Sequence, residues 1–192
     1  MKIIFASNNA NKRAEIQSAL GDQFQLVSLE DIGFEEEIPE TGNTLEANAL
    51  QKANYIFSRF KTPVFADDSG LEIEALNGEP GVDTAHYSGS RNALANMSKV
   101  LDRLEQAENR KAKFRTVIAF VAPGREKLFQ GEVEGTIATK MTGDNGFGYD
   151  PIFIPEDEHR TFAEMTLAEK ANRNHRVRAL RKFVEYLKTR AH

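Results

Sequence analysis

An α/β fold, with helices packed on a mixed sheet, is what this sequence predicts, and three features point to it. Near the N-terminus, short β-favouring runs alternate with amphipathic helical segments, as in strand–helix units. From Phe114 to Thr139, two β-favouring runs flank Pro123-Gly124-Arg125-Glu126, which reads as a hairpin and therefore as antiparallel pairing. A last helical segment carries Leu180, Phe183, Val184 and Leu187 on one side. At 192 residues the chain is long enough for one sizeable domain, and no long linker divides it.

In chain order, Lys2 to Ala6 forms the first expected strand. A polar loop, Ser7-Asn8-Asn9-Ala10-Asn11-Lys12, leads into a helix with Ile16, Ala19 and Leu20 as its apolar stripe and Gly21-Asp22 as its stop. A strand, a loop and a helix start make an anion site from free amides and the helix dipole, with Lys12 as an added cation. Equally, Ser7 and the asparagines cap the helix and Lys12 is solvated. Gln25 to Leu29 is a second short strand, followed by an acidic connection, Glu30 to Glu40. A helix then begins near Thr41-Gly42-Asn43-Thr44-Leu45-Glu46, with Asn43 and Glu46 at capping-box spacing. Leu45, Ala49, Ala53, Ile56, Phe57 and Phe60 form its buried stripe; Lys52 lies off it, either solvated or reaching a ligand.

Thr62-Pro63-Val64-Phe65-Ala66 reads as a buried strand ending in Asp67-Asp68-Ser69-Gly70. Two adjacent carboxylates there are costly unless something neutralises them. A Mg²⁺ ion would do so, since it takes hard oxygen ligands from one or two carboxylates plus phosphates. The alternative is a solvated Asp-Ser-Gly turn, with Gly70 giving the bend. Chain order also brings Glu40 towards these aspartates. Beyond them come a half-exposed strand at Leu71, Ile73 and Ala75, a turn-rich loop at Asn77 to Gly81, and a helix with Leu94, Met97, Leu101 and Leu104 on one face.

Gly143 to Phe153 holds the second chemically loaded segment, Gly146-Phe147-Gly148-Tyr149-Asp150-Pro151. Phe147 on such a loop stacks on a flat ring while Asp150 accepts hydrogen bonds from ring N–H groups, or else Phe147 and Tyr149 are core residues. Thr166 and Glu169 have capping-box spacing, and the following segment is rich in bases: Lys170, Arg173, His175, Arg176, Arg178 and Arg181. Lys170, His175 and Arg176 either contact phosphates and a base carbonyl or sit on a solvated helix face.

Composition excludes several classes. The net charge of −4 offers no general attraction to nucleic acid or anionic membrane, so an anionic ligand needs a local cationic cluster or a metal. With no cysteine, disulfides, thiolate metal sites and cysteine nucleophiles are ruled out. The N-terminal apolar run is too short for a signal peptide, and no stretch is long enough to span a bilayer, so a cytoplasmic protein is expected.

In combination and in this order, these motifs resemble one family, the inosine triphosphate pyrophosphatases that act on noncanonical purine triphosphates. The resemblance runs through Ser7 to Lys12, Glu40-Thr41-Gly42, Glu46 to Ala53, Ala66 to Leu71, Ala75 to Val82, Gly146 to Phe153, Thr161 to Met165, Glu169-Lys170 and His175-Arg176. It implies an elongated mixed sheet flanked by helices in two lobes with a central cleft, residues 1–192 forming a single pyrophosphatase domain that is usually a homodimer. It implies Mg²⁺-dependent cleavage of ITP, dITP or XTP to a monophosphate and pyrophosphate. Asp68 would be the general base and, with Glu40, a metal ligand, while Asp67 tunes the site. Lys12, Lys52, Lys170 and the amides of the Ser7–Lys12 loop and Ser69 would hold the triphosphate. Phe147, with Gly148 and Tyr149 beside it, would stack on the base, Asp150 would read its N–H edge, and His175 and Arg176 would donate to its 6-oxo group. Three departures bear on dimer contacts and substrate preference: His86 where an arginine is common, Asn174 before the His-Arg pair, and the 92–100 segment. The alternatives are a related pyrophosphatase with another nucleotide preference and a catalytically silent nucleotide-binding protein.

Overall fold

The computed structural model describes residues 2–20 and 24–189. Six strands form one mixed sheet, ordered β2-β1-β3-β4-β5-β6: β1 Lys2–Phe5, β2 Gln25–Val27, β3 Val64–Ile73, β4 Lys111–Ala122, β5 Arg125–Ile137 and β6 Phe153–Pro155. β1 runs parallel to both β2 and β3, whereas β5 and β6 are antiparallel. The helices are α1 Ala10–Leu20, α2 Leu45–Phe60, α3 Ala93–Arg103, α4 Leu167–Ala171 and α5 His175–Lys188. This is the expected α/β class. The side chains of Ala19 and Leu20, and the helix stop at Gly21-Asp22, lie outside what is described.

Two compact units divide the chain, the first comprising Met1–Asp68, Thr116–Gly131 and Arg176–His192, the second Ser69–Arg115 and Glu132–His175. In the first, α1 and α5 pack on the sheet: Ile3, Phe5, Ile16, Phe65, Ile118, Phe120, Leu180 and Phe183 form one buried cluster. Phe5 and Phe65 stack at 4.8 Å across the β1–β3 pair. The second unit has its own core, built on Leu71, Ile73, Val100, Leu104, Phe114, Val133, Ile152, Phe153 and Phe162.

Several local expectations change. β3 continues unbroken through Asp67, Asp68, Ser69 and Gly70, so no turn forms there and Gly70 supplies no bend. Eight of its ten residues are buried, and a strand enclosed along its length overrides the turn preference of Asp, Ser and Gly. The N-cap of α2 is Thr44, whose hydroxyl accepts from the Ala47 amide, rather than Asn43. Lys52 and Asn48 join Leu45, Ala49, Ala53 and Ile56 on the buried side of α2, while Phe57 and Phe60 are only half-buried. On α3, Leu94 is 61% exposed, and Val100 takes its place in the core beside Met97. The hairpin turn shrinks to Pro123-Gly124, with Gly124 at φ 68, a value glycine adopts without strain.

Candidate active site

The first unit gathers a buried cluster of opposite charges around the end of its share of β3. Asp67 is fully buried, and its Oδ2 receives two cations: Lys12 Nζ at 3.0 Å and Arg176 Nε at 3.1 Å. Arg176, at the start of α5, also donates to Glu15 Oε2 on α1. Lys12, Arg176, Asp67 and Glu15 thus balance in charge, which is what makes their burial tolerable. Burial disfavours an ionised Asp67, but Lys12 and Arg176 more than offset it and hold its carboxyl well below the usual range. Lys12 itself is lowered, because burial outweighs the attraction of Asp67.

Asp68 faces a different balance. Lys52 Nζ lies 3.4 Å from Asp68 Oδ1 and 3.4 Å from Glu40 Oε1, joining the strand, helix α2 and the loop before it, as chain order foreshadowed. Burial opposes the charge on Lys52, yet Asp68, Glu40 and Asp67 together raise its pKa. For Asp68, burial pushes the pKa up; Glu40 and Asp67 add to this, and Lys52 and Lys12 oppose it. Its Oδ2 is buried and has no hydrogen-bond partner among the described residues. Such an atom points to something that completes it.

The loop after β1 is organised as a helix start. Asn9 Oδ1 accepts from the Lys12 amide at 3.1 Å, and Ser7 Oγ accepts from the Asn9 amide at 3.2 Å. Asn9 therefore does cap α1, while Lys12 is not solvated but paired with Asp67. Ala10 and Asn11 open the helix, where amides lack intrahelical acceptors, and Asn8 and Asn9 are exposed beside them. Ser69 follows Asp68 on β3 and is half-buried.

A second cluster lies within the second unit. Asp150 Oδ2 accepts from Lys170 Nζ at 2.7 Å and from the Phe147 amide at 2.9 Å. Lys170 Nζ stands 4.9 Å from the centre of the Phe147 ring, in cation–π range. Gly146 makes this arrangement possible: its φ is +76°, and a Cβ there would lie 2.1 Å from Asp150 Oδ2. Gly148 also has a positive φ, 63°. Phe147 stays half-exposed, whereas Tyr149 is buried and donates from its hydroxyl to the Thr84 carbonyl at 2.7 Å, so its ring serves the core. His175 is buried and stacked on Phe114, with ring centres 4.8 Å apart and planes 11° from parallel. The Thr166–Glu169 capping box forms as expected and starts the short helix that carries Lys170.

The structure thus brings Lys12, Glu40, Lys52, Asp67, Asp68 and Arg176 together in one unit, and Phe147, Asp150 and Lys170 together in the other. Sequence reasoning missed Glu15, which sits one helical turn beyond Lys12 and is buried against Arg176. An acid at that spacing on a helix with a buried face was the available signal. It also missed Asn48 and Gln51 on α2, which bind the loop carrying Glu40.

Among the described residues, no group of three or more His, Asp or Glu forms a metal-binding set. A hard cation such as Mg²⁺ commonly takes only one or two protein carboxylates and completes its shell with phosphate oxygens. Glu40 and Asp68, tied to one lysine and including an unpartnered buried oxygen, are a donor set of that kind.

The whole chain is similar to proteins of known sequence and structure. The chain is 49% identical over 189 residues to the dITP/XTP pyrophosphatase of Flavobacterium psychrophilum, covering 98% of this chain and all of that one. It is 44% identical to the dITP/XTP pyrophosphatase of Bacillus subtilis, with 96% of each chain covered. Among solved structures, the Ham1 protein of Staphylococcus aureus superposes with a TM-score of 0.91 at 35% identity, over 99% of this chain and all of that one. A HAM1 protein from Coxiella burnetii gives 0.90 at 37% identity, over 98% and 99%. The model of the Ham1 family matches residues 3–186, and the chain belongs to that family.

Proposed function

We propose that this chain is a nucleoside triphosphate pyrophosphatase acting on noncanonical purine nucleotides, ITP, dITP and XTP, with Mg²⁺. The observation that carries the reading is Asp68: a buried carboxylate whose pKa is raised, with one oxygen unpartnered and the other against Lys52. A carboxylate of raised basicity is suited to take a proton from water. In the proposed reaction Asp68 accepts that proton as the water oxygen bonds to phosphorus. The α–β bridging P–O bond then breaks, leaving a nucleoside monophosphate and pyrophosphate. Glu40 and Asp68 would hold Mg²⁺, which when bound neutralises phosphate charge and orients water.

Lys12, Lys52 and the α1 start supply the cations and amides for the phosphates. Phe147, half-exposed, offers a face for the base, with Gly148 easing the approach. Asp150 and Lys170, fixed to each other, present the polar groups that read its edge. A donor at the 6-oxo position discriminates against adenine, whose amino group would leave both donors unpaired, and His175 is assigned that role. Arg176 is first the counter-ion of Asp67 and Glu15, and donation to the base would come in addition. The single 1–192 domain, a homodimer and a cytoplasmic location complete the reading. Among the described residues no helix is long and apolar enough to cross a membrane.

The test is pyrophosphate release by the purified protein with Mg²⁺, comparing ITP, dITP and XTP with ATP, GTP, CTP, UTP and dTTP. Selective release from the first three, abolished by a chelator, is expected. Preference for another nucleotide would refute the base assignment, and tight ITP binding without turnover would refute Asp68 as the base.

A further inference from the structure

Three successive residues of the loop before α2 are each held by a side chain of that helix. Lys52 Nζ meets Glu40 Oε1 at 3.4 Å. Gln51 makes a two-point clasp on Thr41: its Oε1 accepts from the Thr41 amide at 2.8 Å, and its Nε2 donates to Thr41 Oγ1 at 2.9 Å. Asn48 Oδ1 accepts from the Gly42 amide at 2.7 Å. The approach at Gly42 is too close for any side chain, since a Cβ there would lie 2.7 Å from the Ala47 Cβ and 2.8 Å from Asn48 Oδ1. Asn48 is 4% exposed, an amide buried on the same helix face as Leu45, Ala49, Lys52, Ala53 and Ile56.

Glu40 itself is exposed and follows Pro39 in a connection with no regular secondary structure. A carboxylate on such a segment would sample many positions, and confining it costs conformational entropy. The two amides after it are tied to α2, whose next position supplies Lys52. We infer that Asn48 and Gln51 are positioning residues that hold Glu40 where it can share a cation with Asp68. They set the affinity of the site for its divalent metal without touching metal or nucleotide. This rests on the reading of Glu40 as a metal ligand. Groups that orient a metal-binding side chain commonly change metal affinity or activity by about 10–100-fold when removed.

The experiment measures Mn²⁺ binding, from the EPR signal of the free ion, in protein saturated with the non-hydrolysable α,β-methylene analogue of ITP. Gln51→Ala is the main variant, because Gln51 is only half-buried and its loss leaves the core intact. Its Mn²⁺ Kd should rise by about tenfold, with kcat at saturating Mg²⁺ little changed and the Mg²⁺ half-saturation point moved in parallel. Gln51→Glu keeps an acceptor for the Thr41 amide and can accept from the Thr41 hydroxyl, so it should restore most of the affinity. Asn48→Asp should likewise bind Mn²⁺ better than Asn48→Ala. An unchanged Mn²⁺ Kd in Gln51→Ala, alongside a clear loss in Glu40→Gln, would overturn the inference and leave Glu40 as a ligand. No change in Glu40→Gln would overturn the ligand reading and the inference together.

Discussion

Asp67→Asn is the perturbation whose size the structure defines most directly. Asparagine keeps the shape and one carbonyl acceptor but removes the charge that Lys12 and Arg176 share. The side chains of Asp67, Arg176 and Lys12 are 0%, 3% and 16% exposed, so water can do little to replace the lost anion. Removing one partner from a buried ion pair costs about 3–5 kcal/mol, because the remaining charge stays buried and uncompensated. For a chain of this length each kcal/mol moves Tm by about 2–4 °C, so the variant should melt about 6–20 °C lower at pH 7. Acid adds a second signature. The folded pKa of Asp67 lies below its unfolded value, so its contribution is fully present above the unfolded value and is lost as pH falls through the folded one. The gap between wild type and Asp67→Asn should therefore be full at pH 7 and shrink below about pH 4. Differential scanning calorimetry across that range is the assay. A Tm drop smaller than about 2 °C at pH 7 would refute the claim that this carboxylate neutralises the cluster.

Asp68→Asn should lower Tm less than Asp67→Asn does, because relief of the burial that disfavours its carboxylate offsets the loss to Lys52, which keeps Glu40, while turnover falls about 10²–10⁴-fold. In the metal-free protein Asp68 should titrate above the ordinary aspartate value because burial disfavours its charge, and a carboxyl NMR titration placing it at or below that value would refute the raised basicity. Phe147→Ala should weaken ITP by about 1–3 kcal/mol through lost stacking and leave inhibition by pyrophosphate nearly unchanged; equal losses measured by competition kinetics would exclude a stacking role. Gly146→Ala forces a Cβ onto Asp150 Oδ2 at a strained φ, so it should reduce discrimination between ITP and ATP while calorimetry shows a folded protein. Retained discrimination would mean that the Asp150–Lys170 pair does not read the base.

The main elements were legible because their signals are local. Leu45, Ala49, Ala53 and Ile56 recur at helical spacing and are buried, and Phe114 to Ala122 with the turn after it declared a hairpin. Thr166 and Glu169 formed their capping box from spacing alone. Failures arose where surroundings outweighed local preference. Gly70 reads as a bend but lies in a strand enclosed along its length, and Leu94 fits an apolar helix face but points to solvent. By spacing Lys52 lies off the apolar stripe of α2, yet it pairs with two carboxylates on the buried side.

For the site, residue types and their order along the chain determined the chemistry on offer: paired aspartates following an apolar run, a lysine at a helix start, an aromatic between glycines. Only the tertiary structure decided which charges meet. Arg176 pairs with Asp67 from 109 positions away and with Glu15 from 161. It also separated two neighbouring aspartates into opposite roles, lowering the pKa of Asp67 and raising that of Asp68. Helix and strand periods repeat over a few residues and can be read along the chain. Coulomb attraction and desolvation depend on distance through space and depth from water, and those quantities exist only once the chain has folded.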